Sequence, residues 1–173
     1  VSTIDEENYQ NAWGLYDDSL LDLAFKEFTR ASEAEEKFGL YLLTLDTHHP
    51  SGHSSKSCEN IKYQDGSNPI LNSIECTDYL ISNFVNKVRS SEYSDQTVIV
   101  ITSDHLAMKN TATSELNKTT RTNLFLINMP DGQGKRISKP GNTMDIAPTL
   151  LSALGYETDL GLGRNLLDAN NKS

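Results

Sequence analysis

The stretch that most constrains the fold is Thr97–His105, TVIVITSDH. Four consecutive β-branched residues, Val98, Ile99, Val100 and Ile101, leave no polar face, the pattern of a parallel strand covered on both sides. The run stops at Thr102, Ser103, Asp104 and His105, all able to bind or orient something. Ligands of open α/β sheets lie beyond the carboxyl ends of strands, so Asp104 and His105 are candidate metal ligands or catalytic groups. The plainer alternative is that Ser103 and Asp104 cap a helix and His105 is an ordinary loop residue.

A second run, Phe38–Leu45 (FGLYLLTL), reads as another buried strand and ends in Asp46-Thr47-His48-His49-Pro50. On extended backbone His48 and His49 point to opposite sides, so only one of them faces a given site. His53 follows in a Ser- and Gly-rich loop that runs to about Asn68. Pro69 opens a helix whose apolar positions, Ile70, Ile74, Thr77, Ile81, Phe84, Val85 and Val88, recur at helical spacing, with Lys87 and Arg89 near its end. Strand, loop, helix and strand in that order make a βαβ unit, which brings both His-bearing loops to one edge of a parallel sheet.

The remaining segments are assigned in the same way. Val1–Tyr16 is polar and irregular, with Trp13 as its one large anchor. Asp17-Asp18-Ser19 introduces a helix with a wide apolar face (Leu20, Leu21, Leu23, Ala24, Phe25, Phe28) and an acidic start. Leu106–Arg121 is Thr-rich and reads as a flexible loop over the site, Leu124–Asn128 as a third short strand, and Asp131–Gly141 as an exposed turn-rich excursion. Thr143 is the expected N-cap of a helix through Leu154 that holds Pro148 in its first turn and stops at Gly155. Leu160–Leu167 carries two glycines without the strand and helix context of a phosphate loop, and reads as packed coil before a disordered tail at 169–173.

Composition narrows the function classes. With 173 residues the chain has room for a single domain. A net charge of -9 and the absence of a Lys/Arg cluster argue against nucleic acid as a partner. No apolar stretch approaches the roughly 20 residues that cross a membrane, so the chain is expected to be soluble. The polar start without Met reads as a segment cut from a longer protein, in which targeting or membrane elements lie upstream. Cys58 and Cys76 lack the spacing of a zinc site and are either free or bridged. The polar neighbours of Cys58 favour a bridge formed in an oxidising compartment.

Asp104 and His105 supply a carboxylate and an imidazole, donors suited to Mn, Zn or Mg. His48 or His49 is placed to add a third ligand or to donate a hydrogen bond to a bound phosphate. Arg121, the basic residue nearest in sequence to the second site loop, is a weaker candidate for phosphate contact. There is no Gly-x-Ser-x-Gly elbow, and Ser103 fits shaping of the loop better than nucleophilic attack.

WGLYDDSLLD (Trp13–Asp22), TLDTHHPSG (Thr44–Gly52), VIVITSDHLAMKNTA (Val98–Ala112) and NTMDIAPTLLSALG (Asn142–Gly155), taken together and in that order, resemble the C-terminal half of the catalytic domain of sulfatase-like phosphoglycerol transferases. The likeness is nearest to the branch that decorates osmoregulated periplasmic glucans, with lipoteichoic acid synthases more distant. The SDHLA form and the Cys58/Cys76 pair favour the glucan branch, and its compartment suits a disulfide. The resemblance implies an alkaline phosphatase superfamily fold, a doubly wound and mainly parallel α/β sheet with helices on both faces, of which 1–168 would be the C-terminal portion. It further implies a location on the periplasmic face of the bacterial inner membrane, behind N-terminal helical anchors outside this sequence. The implied reaction moves glycerophosphoryl groups from phosphatidylglycerol or a lipid-linked donor to a glucan through a covalent Thr intermediate. Asp104 and His105 take metal-ligand positions and His48 a position that contacts substrate. The Thr nucleophile and the remaining acidic ligand belong to the N-terminal half of that domain, so this chain alone is expected to be inactive. The alternatives are a phosphodiesterase or sulfatase of the same superfamily, or a noncatalytic module for glycans or lipid headgroups.

Overall fold

The structure, a computed structural model, describes residues 9–11, 14–34, 36–132, 134, 136–157 and 159–168. Trp13 and the expected tail at 169–173 lie outside the described residues. The chain divides into two compact units, Val1–Ser94 with Ala107–Arg121, and Asp95–Leu106 with Thr122–Ser173.

The first unit is built on two helices. It opens with a short antiparallel pair, β1 (Gln10–Asn11) and β2 (Gly14–Leu15), where an irregular segment is expected from the sequence. Helix α1 (Asp17–Ser32) buries Leu21, Ala24 and Phe28, and helix α2 (Pro69–Arg89) buries Ile70, Cys76 and Val88. Each large apolar side chain taken from water this way contributes about 1.5–3 kcal/mol. Phe25 meets Phe84 edge-on, with centroids 6.5 Å apart, and Phe28 meets Tyr93 in the same way at 6.1 Å. Cys58, in the 3₁₀ turn Lys56–Cys58, is joined to Cys76 of α2 by a disulfide.

Both helix starts are satisfied from a distance. No acidic residue stands at the N-cap position of α1: that residue is Tyr16, and Asp17 and Asp18 lie inside the first turn. The Asp17 and Asp18 N–H groups instead donate to Asp46 Oδ1 at 3.2 Å and Ser55 Oγ at 3.2 Å. In α2, Pro69 occupies the first turn as expected, while the Ile70 N–H points to Thr111 Oγ1 at 3.4 Å. Thr111 in turn donates to the Asn68 side chain at 2.8 Å. Residues 107–121 are therefore not a free loop. Thr111 N–H donates to the Pro50 carbonyl at 3.0 Å, and Thr113–Leu116 form a helical turn, α3.

Phe38–Leu45, expected to be a buried strand, is neither. It pairs with no strand among the described residues, and Tyr41 and Leu43 are 92% and 67% exposed. An apolar run becomes a strand only where a neighbour supplies the ladder. Here the ends are fastened otherwise: Phe38 packs its ring on Phe28 at 6.3 Å, and the Leu45 N–H donates to Asp17 Oδ1 at 2.7 Å. The expected βαβ unit thus lacks its first strand.

In the second unit β3 (Ile99–Thr102) pairs with β4 (Phe125–Asn128) in the register Ile99↔Asn128 to Thr102↔Phe125. The pairing is antiparallel, and Ile99–Ile101 are half-buried instead of covered on both faces. Among the described residues the sheets are two antiparallel pairs, so the parallel ladder expected for the Thr97 run is absent from them. The connection from Ser103 to Leu124 is long enough for either direction, so nothing within the Thr97 run itself selects a parallel partner.

The same unit ends in a 3₁₀ turn, Thr143–Asp145, that continues into α4 (Ile146–Ala153). Its cap is Asn142, not Thr143: the Asn142 side chain accepts from Met144 N–H, and Asp145 reaches back to the Asn142 N–H, a capping box. Pro148 falls in the first turn of α4 as expected. Asp145 is fully buried and also accepts from Arg164 N–H at 2.8 Å and its guanidinium at 3.3 Å. These bonds, working against burial, hold its carboxyl below the usual range. They also fasten the 160–167 coil onto α4, together with Leu166 N–H donating to Thr149 Oγ1 at 3.0 Å.

Candidate functional site

The end of β3 is locked before the candidate ligands begin. Ser103 N–H donates to the Leu124 carbonyl at 3.0 Å, and Leu124 N–H donates back to Ser103 Oγ at 3.0 Å. Ser103 therefore spends its hydroxyl on joining the two strands, and Asp104 is the first residue free of the sheet.

Asp104 and His105 form a preset two-donor face. The His105 N–H donates to Asp104 Oδ1 at 2.8 Å, which fixes the carboxylate over its neighbour. His105 Nδ1 lies 2.9 Å from the Leu106 carbonyl, which can only accept, so Nδ1 carries the proton and Nε2 the lone pair of the neutral ring. Nε2 then faces Asp104 Oδ2 at 3.4 Å. These two lone-pair-bearing atoms lie side by side, within reach of one cation. Both side chains are well exposed, so a ligand reaches them without rearrangement.

The donor types fit a divalent ion of the Mn, Mg or Zn kind, whose shells accept carboxylate oxygen and imidazole nitrogen. The donor number does not complete a shell. Among the described residues no group of three His, Cys, Asp or Glu side chains converges on one ion.

His48 and Arg121 belong to the first unit, Asp104 and His105 to the second. His48 and His49 do not point to opposite sides. They sit in a turn, across a cis His49–Pro50 peptide, and their rings stack at 4.6 Å. The expectation assumed extended backbone; turns over Asp46–Thr47 and His49–Ser51 replace it. His48 Nδ1 donates to the His49 carbonyl at 2.8 Å, which sets the ring's tautomer. The turn closes with Gly52 N–H on the His48 carbonyl and His53 N–H on the Asp46 carbonyl. Gly52 has φ +71°, and a Cβ there would run into Ser73 and the Asp46 carbonyl. Arg121 donates from its guanidinium to the Ala107 carbonyl, so part of its hydrogen-bonding capacity is held inside its own unit.

Sequence reasoning placed Asp46 at the start of a site loop and missed what it does. Asp17 and Asp46, both fully buried, hold each other's backbone. Asp17 Oδ1 accepts from Leu45 and Asp46 N–H, and Asp17 Oδ2 from Thr77 Oγ1 at 2.9 Å. Asp46 Oδ1 accepts from Asp17 N–H, and Asp46 Oδ2 from Ser55 Oγ at 2.6 Å. Burial pushes the Asp46 carboxyl up to about 6, the Asp17 charge adds to this, and the Ser55 bond opposes it. Beside them Asp18 is held below its ordinary value. Burial alone would raise it, but donors from Tyr9, Ser57 and the Ser19 N–H outweigh that. Tyr9, buried against Asp18, is pushed up to about 12. The available signal was Asp17 standing at a helix start, where buried N–H groups need acceptors.

Comparison with known proteins agrees with the motif reading. The sulfatase family pattern matches residues 2–156. Phosphoglycerol transferase I of Shigella flexneri is 43% identical over 99% of this chain. The proteins of that name from Escherichia coli strains SMS-3-5 and O157:H7 EC4115 are each 42% identical over the same share. The chain spans 23% of the length of each of these curated relatives. With the family pattern running from the first helix through the last and including both strand-end loops, the chain belongs to the sulfatase family.

Proposed function

We propose that this chain is the Asp–His-bearing part of a phosphoglycerol transferase domain. In its longer form that domain moves glycerophosphoryl groups from phosphatidylglycerol, or a lipid-linked donor, to a periplasmic glucan. The observation that carries the reading is 42–43% identity across nearly the whole chain to proteins named phosphoglycerol transferase I. In the complete domain the sheet is doubly wound and mainly parallel, and the half outside this sequence brings the Thr nucleophile and the remaining acidic ligand.

Asp104 Oδ2 and His105 Nε2 would hold a divalent cation, Mn, Mg or Zn. When bound, it supplies positive charge beside the transferring phosphoryl group, where charge stabilisation dominates the chemistry. The chain's own contribution is positional. The Ser103–Leu124 link fixes where the pair starts, and the Leu106 carbonyl fixes the His105 tautomer. His48, with its tautomer set by the His49 carbonyl, orients donor phosphate or glycerol, and Arg121 is a secondary anion contact. The Cys58–Cys76 disulfide is consistent with the periplasmic face of the inner membrane, since such bonds persist in oxidising compartments. Among the described residues no helix is long and apolar enough to cross a membrane; in this reading membrane attachment belongs to the longer protein.

The test is glycerophosphoryl transfer from labelled phosphatidylglycerol to glucan, using this chain and a longer polypeptide that includes the nucleophile-bearing half. Transfer by the longer polypeptide, lost with Asp104→Asn and absent from this chain alone, supports the reading. Turnover by the 173-residue chain would overturn it. Release of free glycerol phosphate as the main product of the longer polypeptide would favour the hydrolase alternative.

A further inference from the structure

The first unit carries a groove of about 560 Å³ between α1, α2 and the Ser57 turn, lined by none of the candidate site residues. Its volume is in the ~300–1,000 Å³ range of small-molecule sites. The floor is apolar, with Leu21 of α1 and Phe84 of α2. One wall is a row on α2, Tyr79, Asn83 and Asn86, at the i, i+4, i+7 spacing that places three side chains on one helical face. Among the described residues none of these three side chains has a hydrogen-bond partner. Two carboxamides and a phenol therefore offer unspent donors and acceptors beside an aromatic ring that is 47% exposed.

The charged side chains lining the groove already have partners. Asp22 Oδ1 holds Lys87 Nζ at 3.2 Å, and Asp18 accepts from Tyr9 and Ser57 at 2.9 Å each. What remains unmatched is neutral hydrogen-bonding capacity, with residual negative charge that disfavours a phosphate or carboxylate. The rim is held in place by the Ser57–Asp18 bonds and by the neighbouring Cys58–Cys76 disulfide.

We propose that this groove binds a short neutral oligosaccharide, stacking one sugar face on Tyr79 and hydrogen-bonding ring hydroxyls through Asn83 and Asn86. A pyranose offers this match, with an apolar C–H face and flanking hydroxyls that both donate and accept. The choice of glucose oligosaccharides rests on the glucan acceptor of the proposed function, but binding in the groove is read separately from transfer. Saccharide binding is measured without turnover, so failure of either reading is distinguishable from failure of the other.

The experiment titrates the isotopically labelled chain with neutral glucose trisaccharides of different linkage, and with glycerol phosphate as the anionic control, following amide shifts. Saturable shifts centred on Tyr79, Asn83 and Asn86 with a trisaccharide are expected, at a Kd of about 1 mM. Tyr79→Ala should weaken binding about tenfold and Asn83→Ala by a smaller factor, with unchanged thermal midpoints showing that the fold persists. Overturning results are the absence of saturable shifts with every trisaccharide, shifts centred elsewhere, binding indifferent to both substitutions, or a response to glycerol phosphate alone.

Discussion

Asp46 and Asp104 each follow an apolar run in the sequence, yet their carboxylates live in opposite environments. Asp46 is fully buried, and both its oxygens are taken by Asp17 N–H and Ser55 Oγ. Asp104 is exposed, one oxygen bound to its neighbour's N–H and the other facing an imidazole lone pair. The first is a clamp that completes the start of α1; the second keeps an oxygen for something outside the chain. What separates a structural carboxylate from a ligand is which groups have already claimed its oxygens.

The largest expected effect tests the clamp. Asp17→Ala strips the acceptors from Leu45 and Asp46 N–H and from Thr77, and should cost about 3–5 kcal/mol in urea denaturation. A loss under 1 kcal/mol would mean that water replaces the carboxylate and the clamp is incidental. Next comes the disulfide, which closes a loop of 18 residues beside that clamp. Its reduction, or paired Cys→Ser substitution, should lower stability by about 3 kcal/mol.

The third effect is a pH dependence confined to the clamp. Asp46 has a folded value of about 6, raised above the ordinary 3.8. Its contribution is therefore fully present below about pH 4 and is lost as pH rises through 6. Asp46→Asn should flatten that segment of the stability curve, a relative change of about 2–3 kcal/mol between pH 4 and 7. Parallel curves for the two proteins would remove Asp46 as the titrating group. Smallest of all, Asp104→Asn should move stability by no more than ~0.5 kcal/mol while abolishing any calorimetric signal with Mn, Mg or Zn. A substitution there that unfolds the chain would erase the contrast with Asp46.

Helix positions were legible because their signals are local. The spacing of Leu21, Ala24 and Phe28, and Pro69 at the first turn of α2, depend on nothing distant. Caps were less legible, since those of α1 and α2 come from Asp46, Ser55 and Thr111, far away in sequence. Strand pairing was the least legible. TVIVIT announces burial and β-propensity, but its partner Phe125–Asn128 and the antiparallel direction depend on where the chain returns. The Phe38–Leu45 run is also largely apolar and has no ladder among the described residues. At the site, the pairing of Asp104 with His105 could be read directly. The stacking of His48 on His49 could not, because a turn with a cis peptide replaces the extended backbone that alternation assumes.

The bare Phe38–Leu45 run makes Tyr41 a built-in footprinting label. With its side chain 92% exposed, it should be nitrated or iodinated among the first of the tyrosines in this chain. Whatever segment, subunit or additive comes to lie over the run will slow that modification, so mass spectrometry at one residue reports when the surface is covered and when it is stripped.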